Sequence, residues 1–331
     1  MKIAVLSKYD FAGSGSRLCE ALNQFGYSCI SARYARTSGN DRFQYDYDLS
    51  DSELSRKTTE NGLVEVTYQF FIEMQEFLNS ADVVIFKGDN PPVNNWFGYQ
   101  IPEKVVVIFL AGGSSFRRSD CKFVSFPRFK LSKYESADIR TSLTPEMCYP
   151  ELDMSWFPAA YDVPERNPYI LKPEGKTLII GHSPSNREKK GTAKFLEATD
   201  RLIKERYNIK VKIIEKLSYE DCIKAKLECD IFYDQDLAGW VGNSGVESLA
   251  NGIPTIAYLD PVGVQNCDDI CPILNCHYDS AKGIYRAIYR LLDRKYRGLI
   301  SNLSHIYALR THSNLAVAGR FAELLIRSEL T

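Results

Sequence analysis

Short β-branched runs alternate with longer stretches of helical spacing along the whole chain, and one proline-rich interval divides that alternation in two. Such alternation is the signature of parallel sheets covered by helices. In the first half the strand-like runs are Ile3–Leu6, Asp82–Phe86 and Lys104–Leu110, with helices expected over Ser16–Asn23 and Tyr68–Leu78. The polar interval Thr37–Asn61 reads as a surface loop with room for one short helix. Between Trp156 and Lys176, Pro158, Pro164, Pro168 and Pro173 rule out a continuous helix or a central strand, which makes this a linker. The second half repeats the alternation. Strands are expected at Thr177–Gly181, Ile209–Ile214, Asp230–Tyr233 and Pro254–Tyr258. Helices are expected at Lys190–Glu205, Ser218–Glu228, Ser244–Asn251, Ala281–Tyr296 and Leu303–Ser328. The reading is an α/β protein with two Rossmann-like domains facing a cleft: residues 1–160, a linker over 161–175, residues 176–302, and a final helical segment over 303–331.

A chain of 331 residues suits two domains, and 44% apolar with 25% charged residues is the balance of a globular protein. A net charge of −1 argues against nucleic-acid binding through bulk charge. The apolar run at the N-terminus stops at Ser7, too short for a signal peptide, and nothing approaches the ~20 apolar residues of a membrane span. The expected setting is cytoplasmic, with peripheral membrane contact left open. Nine cysteines then read as reduced thiols. Cys267, Cys271, Cys276 and His277 cluster without a Cys-x-x-Cys pair, so no metal is expected there.

Two loops of the second half have the composition to grip a pyrophosphate. The first runs from Gly181 and His182 through Arg187 to Lys190-Gly191-Thr192, leaving a strand end and entering a helix. Arginine grips phosphate bidentately and lysine supplies a mobile charge, although a solvated helix start has the same letters. The second loop, Gly239-Trp240-Val241-Gly242-Asn243-Ser244-Gly245-Val246-Glu247, also runs into a helix, whose N-terminus favours an anion. Glu247 has two readings there: the far member of a Ser244-x-x-Glu247 capping box, or a carboxylate that accepts ribose hydroxyls.

These residues carry a resemblance. The Arg187/Lys190-Gly191 turn, followed by Gly242-x-x-x-x-Glu247-Ser248-Leu249-Ala250-Asn251-Gly252-Ile253-Pro254-Thr255-Ile256-Ala257, resembles the donor domain of the large retaining glycosyltransferase family that includes sucrose synthases and lipopolysaccharide and mannosyl transferases. The resemblance covers about half the chain well and the first domain loosely. It implies a GT-B fold, with the C-terminal helix crossing back to the first domain, and transfer of a sugar from a nucleoside-diphosphate sugar (UDP- or GDP-linked) with no tightly bound cofactor. Arg187 and Lys190 would neutralise the diphosphate and the leaving-group charge. Amides over Gly242, Asn243, Ser244, Gly245 and Val246 would hold the phosphates, His182 would line the site, and Glu247 would bind the ribose. The family's second acidic residue, eight positions before that glutamate, is Gly239 here, so Asp236 or Asp234 is the expected replacement at the transferred sugar.

On the first domain, Gly13-Ser14-Gly15 lies between a strand and a helix; position 18, where a dinucleotide fingerprint places its third glycine, is leucine. In the resembling family this turn faces the donor phosphates and the acceptor. The strand ends at Lys87-Gly88-Asp89-Asn90 and Ala111-Gly112-Gly113 are expected to face the same cleft. All four histidines lie in the second half, so a histidine base from the first domain is not expected; the family's front-face mechanism, with the leaving phosphate as base, implies retention. The basic and aromatic segment 116–140 reads as a solvated surface, as a contact for an anionic lipid-linked or surface glycan acceptor, or less readily as a nucleic-acid contact. Two rival functions keep the same architecture: a nucleotide-sugar epimerase and a non-catalytic nucleotide- or carbohydrate-binding protein. A nicotinamide oxidoreductase comes last.

Overall fold

A computed structural model describes residues 1–35, 43–49, 63–88, 95–112, 136–148, 153–267 and 269–328. The first half builds a seven-stranded sheet from β1 (Lys2–Tyr9), β2 (Ser28–Ala35), β3 (Tyr47–Asp48), β4 (Val83–Lys87), β7 (Val106–Ala111), β8 (Ile139–Ser142) and β9 (Met154–Trp156), in the order β3-β2-β1-β4-β7-β8-β9. Every neighbouring pair is parallel. A two-residue hairpin, β5 (Asn95–Trp96) with β6 (Tyr99–Gln100), stands apart from it. Helices α1 (Ser14–Gln24) and α2 (Leu63–Asn79) connect the first strands. β1 shows why such strands read as unbroken apolar runs: Ile3 and Val5 face one core, Ala4 and Leu6 the other, and all four are buried.

The second sheet is also parallel, in the order β11-β10-β12-β13-β14. Its strands are β10 (Leu178–His182), β11 (Ile209–Ile213), β12 (Ile231–Gln235), β13 (Thr255–Ala257) and β14 (Leu274–Asn275). The helices are α3 (Thr192–Lys204), α4 (Tyr219–Leu227), α5 (Asn243–Ala250), α6 (Pro261–Asn266), α7 (Ala281–Leu292), α8 (Arg294–Thr311) and α9 (Asn314–Arg327). In both sheets the strand order reverses once, between β1 and β4 and between β10 and β12, and such a reversal opens a crevice at the carboxyl ends of the strands.

The C-terminal segment differs from the two long helices that periodicity suggests. Asp293 and Ser313 each accept a hydrogen bond from the backbone three residues on, so each caps a new helix inside an uninterrupted apolar pattern. The break at His312–Ser313 is tied to the linker: His312 Nδ1 lies 2.9 Å from the carbonyl of Ala159, and the Tyr161 amide donates to the carbonyl of His312 at 2.7 Å. From there α9 returns to the first domain, where Val317, Ala318, Phe321 and Leu325 share a core with Leu18, Leu22, Ile85 and Phe157. A second apolar cluster joins the halves through Trp156 and Tyr161 on one side and Trp240, Val246 and Leu249 on the other. Among the described residues no helix is long and apolar enough to cross a membrane. Most of the basic segment 116–140, together with Asp89, Asn90 and Gly113, lies outside the described residues.

Candidate active site

The two loops singled out in the second half meet at the carboxyl ends of β10 and β12. Gly191, at φ 66°, turns the chain into α3, and the hydroxyl of Tyr233 on β12 donates to the carbonyl of Lys190 at 3.2 Å. Lys190 is thereby aimed across the crevice. Its Nζ lies 3.0 Å from Asp234 Oδ1, and the other oxygen of Asp234 accepts from the amide of Gly242 at 2.6 Å. A Cβ on Gly242 would stand 2.9 Å from Lys190 Nζ, and one on Gly245 would collide with Val241. Gly245 is held to glycine by Val241 and Asp234, which crowd it, whereas a side chain at Gly242 would push the end of Lys190 away from the first turn of α5.

The capping box does not form. Gly242 is the N-cap of α5, Ser244 already lies inside the helix, and no side chain caps it. Glu247 instead sends Oε2 to Lys226 Nζ at 2.5 Å and Oε1 to within 3.8 Å of Arg17 Nη2, across the domain boundary. The amides of Gly245 and Val246 donate to the carbonyl of Gly242, which leaves those of Asn243 and Ser244 as the first-turn donors without an intrahelical partner.

Other expected site residues are placed differently. Arg187 stands 59% exposed in a bidentate pair with Glu215, at 2.9 and 2.6 Å, and does not share the Lys190 contact. His182 is fully buried: Nδ1 lies 3.0 Å from the carbonyl of Tyr233 and Nε2 2.8 Å from the Thr192 hydroxyl. Burial pushes its pKa down to about 4, so the ring is neutral, donates from Nδ1 and accepts at Nε2. It fixes the base of the loop rather than facing the crevice.

Asp236 is also fully buried, beneath the Lys190 turn, where its Oδ1 occupies the space a Cβ on Gly191 would need. Neither carboxylate oxygen makes a well-formed hydrogen bond among the described residues, and burial raises the pKa to about 6. The ordinary value is about 3.9, so folding becomes less favourable as pH rises from about 4 to 6 and stays so above. Asp236→Asn is accordingly expected to stabilise the protein at pH 7.5 by up to about 3 kcal/mol and to change little near pH 4. Equilibrium unfolding at both pH values checks this; an equal difference at the two would rule out the charge as the cause.

On the facing domain, the Gly13-Ser14-Gly15 turn is filled by its own chain. Asp10, wholly buried, accepts from the amides of Gly15 at 2.9 Å and Ser16 at 3.0 Å, from Lys87 Nζ at 2.6 Å and from the hydroxyl of Tyr45 at 3.0 Å. Burial alone would raise the Asp10 carboxyl, but the Lys87 charge and these donors bring it below its ordinary value. The Asp10–Lys87 pair sits at the β1/β4 reversal. In sequence only Lys87 stands out, as the polar residue that ends the run Val83–Phe86; three residues separate Asp10 from Leu6, the end of the first run.

Neither a protein-family profile nor a curated sequence matches the chain. Solved structures do match over its full length. A glycosyltransferase from Rickettsia africae aligns at a TM-score of 0.63 and 12% identity, covering 99% of this chain and 98% of its own. Sucrose-phosphate synthase from Thermosynechococcus elongatus gives 0.62 and 13%, over 99% and 98%. The Anabaena protein HepE, in complex with UDP and glucose, gives 0.56 and 9%, over 98% and 99%. The fold is GT-B. The chain's two parallel doubly wound sheets and the terminal helix returned to the first domain are consistent with that fold.

Proposed function

We propose that this chain is a glycosyltransferase that moves a sugar from a nucleoside-diphosphate sugar to an acceptor, with retention of configuration. The observation that carries the reading is the convergence of Lys190 with Gly242 and the first turn of α5 at the β10/β12 reversal. A cation, two helix amides without an intrahelical partner among the described residues, and a helix dipole coincide there, which suits a diphosphate. The neighbouring structures support the choice of ligand, since the Anabaena protein is described with UDP, with UDP and glucose, and with UDP-glucose.

In this reading Lys190 neutralises the diphosphate as charge develops on the leaving group, without need of a metal. Arg187 joins it by exchanging Glu215 for phosphate, a small cost because an exposed ion pair is weak in water. Glu247 takes the ribose hydroxyls, and Asp236 acts by positioning the Lys190 turn from beneath. No histidine is placed to serve as a base: His182, His305 and His312 are buried, and His277 is exposed on the turn after β14. The leaving phosphate then accepts the acceptor's proton on the same face. In this reading the donor is UDP- or GDP-linked, and the basic segment 116–140, most of which lies outside the described residues, would meet an anionic acceptor.

A thermal-shift panel of UDP, GDP, ADP, dTDP and CMP, with NAD and NADP beside them, tests the reading. One nucleoside diphosphate at a hundred times its Kd is expected to add about 2.7 kcal/mol of stability. A response to NAD or NADP alone would overturn the proposal, and silence from all would favour a non-catalytic protein.

A further inference from the structure

The expected guanidinium of the donor site, Arg187, is at the rim, whereas a different one stands inside. Arg17 belongs to α1 of the first domain, yet its guanidinium reaches the second domain beside α5. It lies 4.3 Å over the ring of Tyr161, whose hydroxyl bonds Asn243, the first residue of α5. That cation–π contact holds the guanidinium beside the helix start.

Arg17 comes within 3.8 Å of Glu247 Oε1, a distance of charge proximity and not of a hydrogen bond. Its Nη1 is buried and makes no well-formed hydrogen bond among the described residues. Glu247 is meanwhile neutralised at 2.5 Å by Lys226, which rests against the face of Phe232. The side chains of Lys226, Glu247 and Arg17 are only 3%, 10% and 11% exposed. Two cations thus share one carboxylate in a desolvated place, leaving one positive charge in excess among them. Among the described residues Glu247 is the one carboxylate that pairs with Arg17. Buried guanidinium donors left unsatisfied are costly, and an anion seated there would satisfy them.

The geometry points to Arg17 as a diphosphate-binding residue lent to the donor site by the opposite domain, so that a bound nucleotide is gripped from both sides of the cleft. This rests on the donor-binding reading above and adds a residue to it. Glu247 is released to the ribose as the phosphates take over the guanidinium. A simpler role competes: Arg17 as an interdomain strut that shapes the whole crevice.

Calorimetric titration of UDP and GDP, against uridine and guanosine, separates the two. Arg17→Met keeps an apolar body on the Tyr161 ring and removes only the fork. It is expected to weaken the bound nucleoside diphosphate about tenfold or more, as loss of a charge-assisted hydrogen bond implies, and the matching nucleoside less than twofold. Arg17→Lys, which keeps the charge, falls between, and it gives the same comparison should the methionine variant not fold. Equal weakening of diphosphate and nucleoside would identify a strut and overturn the proposal; so would undiminished diphosphate binding. If the unaltered protein binds neither diphosphate, the donor reading falls with it, whereas normal binding in Arg17→Met removes this inference alone.

Discussion

Lys190→Ala is expected to lower kcat/KM for sugar transfer, or for slow hydrolysis of the donor, by about a hundredfold, the loss typical when one preorganised charge-stabilising group is removed. The lysine sits 3.0 Å from Asp234 and against the first turn of α5, so its charge is fixed before a ligand arrives. The substitution also leaves a buried aspartate without its cation, and that structural effect has to be separated from the catalytic one. The double variant Lys190→Ala/Asp234→Asn does this, because asparagine no longer needs a positive partner while its carbonyl can still accept from Gly242. If Lys190 acts on the diphosphate, the double variant remains as inactive as the single one, though its melting temperature recovers. Recovery of activity together with stability would show that Lys190 serves only to neutralise Asp234.

Phe321→Ala is expected to cost about 3–5 kcal/mol, a large share of the 5–15 kcal/mol that stabilises a typical domain. Phe321 is buried edge-on against Tyr27, with ring centroids 5.5 Å apart, in the core shared by α9, α1 and the central strands of the first sheet. The lost contacts therefore fall on the first domain although the residue lies near the end of the chain. Denaturant unfolding gives the magnitude, and hydrogen exchange gives the location: amides of Ile3–Val5 and Val83–Ile85 should lose more protection than those of Ile231–Tyr233. Uniform loss over both sheets, or loss confined to the second, would contradict the placement of α9.

The capping-box alternative for Glu247 shows how far local pattern reaches. Ser244-x-x-Glu247 has the right spacing, but a capping box requires the serine to precede the helix, and α5 begins one residue earlier. What recruits Glu247 is Lys226, 21 positions away, and Arg17, 230 positions away, distances over which no local pattern acts. Arg187 shows the converse. Its composition suits phosphate, yet Glu215 at the end of the next strand lies within reach and claims it.

The sequence by itself determined the class of this protein: buried parallel strands demand apolar runs on both faces, helices demand their own period, and prolines break both, so alternation and linker are written in local chemistry. Glycines at 242 and 245 were legible as places of close approach, but what crowds them, Lys190, Val241 and Asp234, was not. Only the tertiary structure decided which charges meet. Asp10 fills the amides of the first glycine turn, Asp236 lies under the second, and Arg17 crosses the cleft to Glu247. A charged side chain takes its partner from whatever the fold brings within a few ångströms, and that proximity is set by the packing of whole sheets and helices rather than by neighbours along the chain.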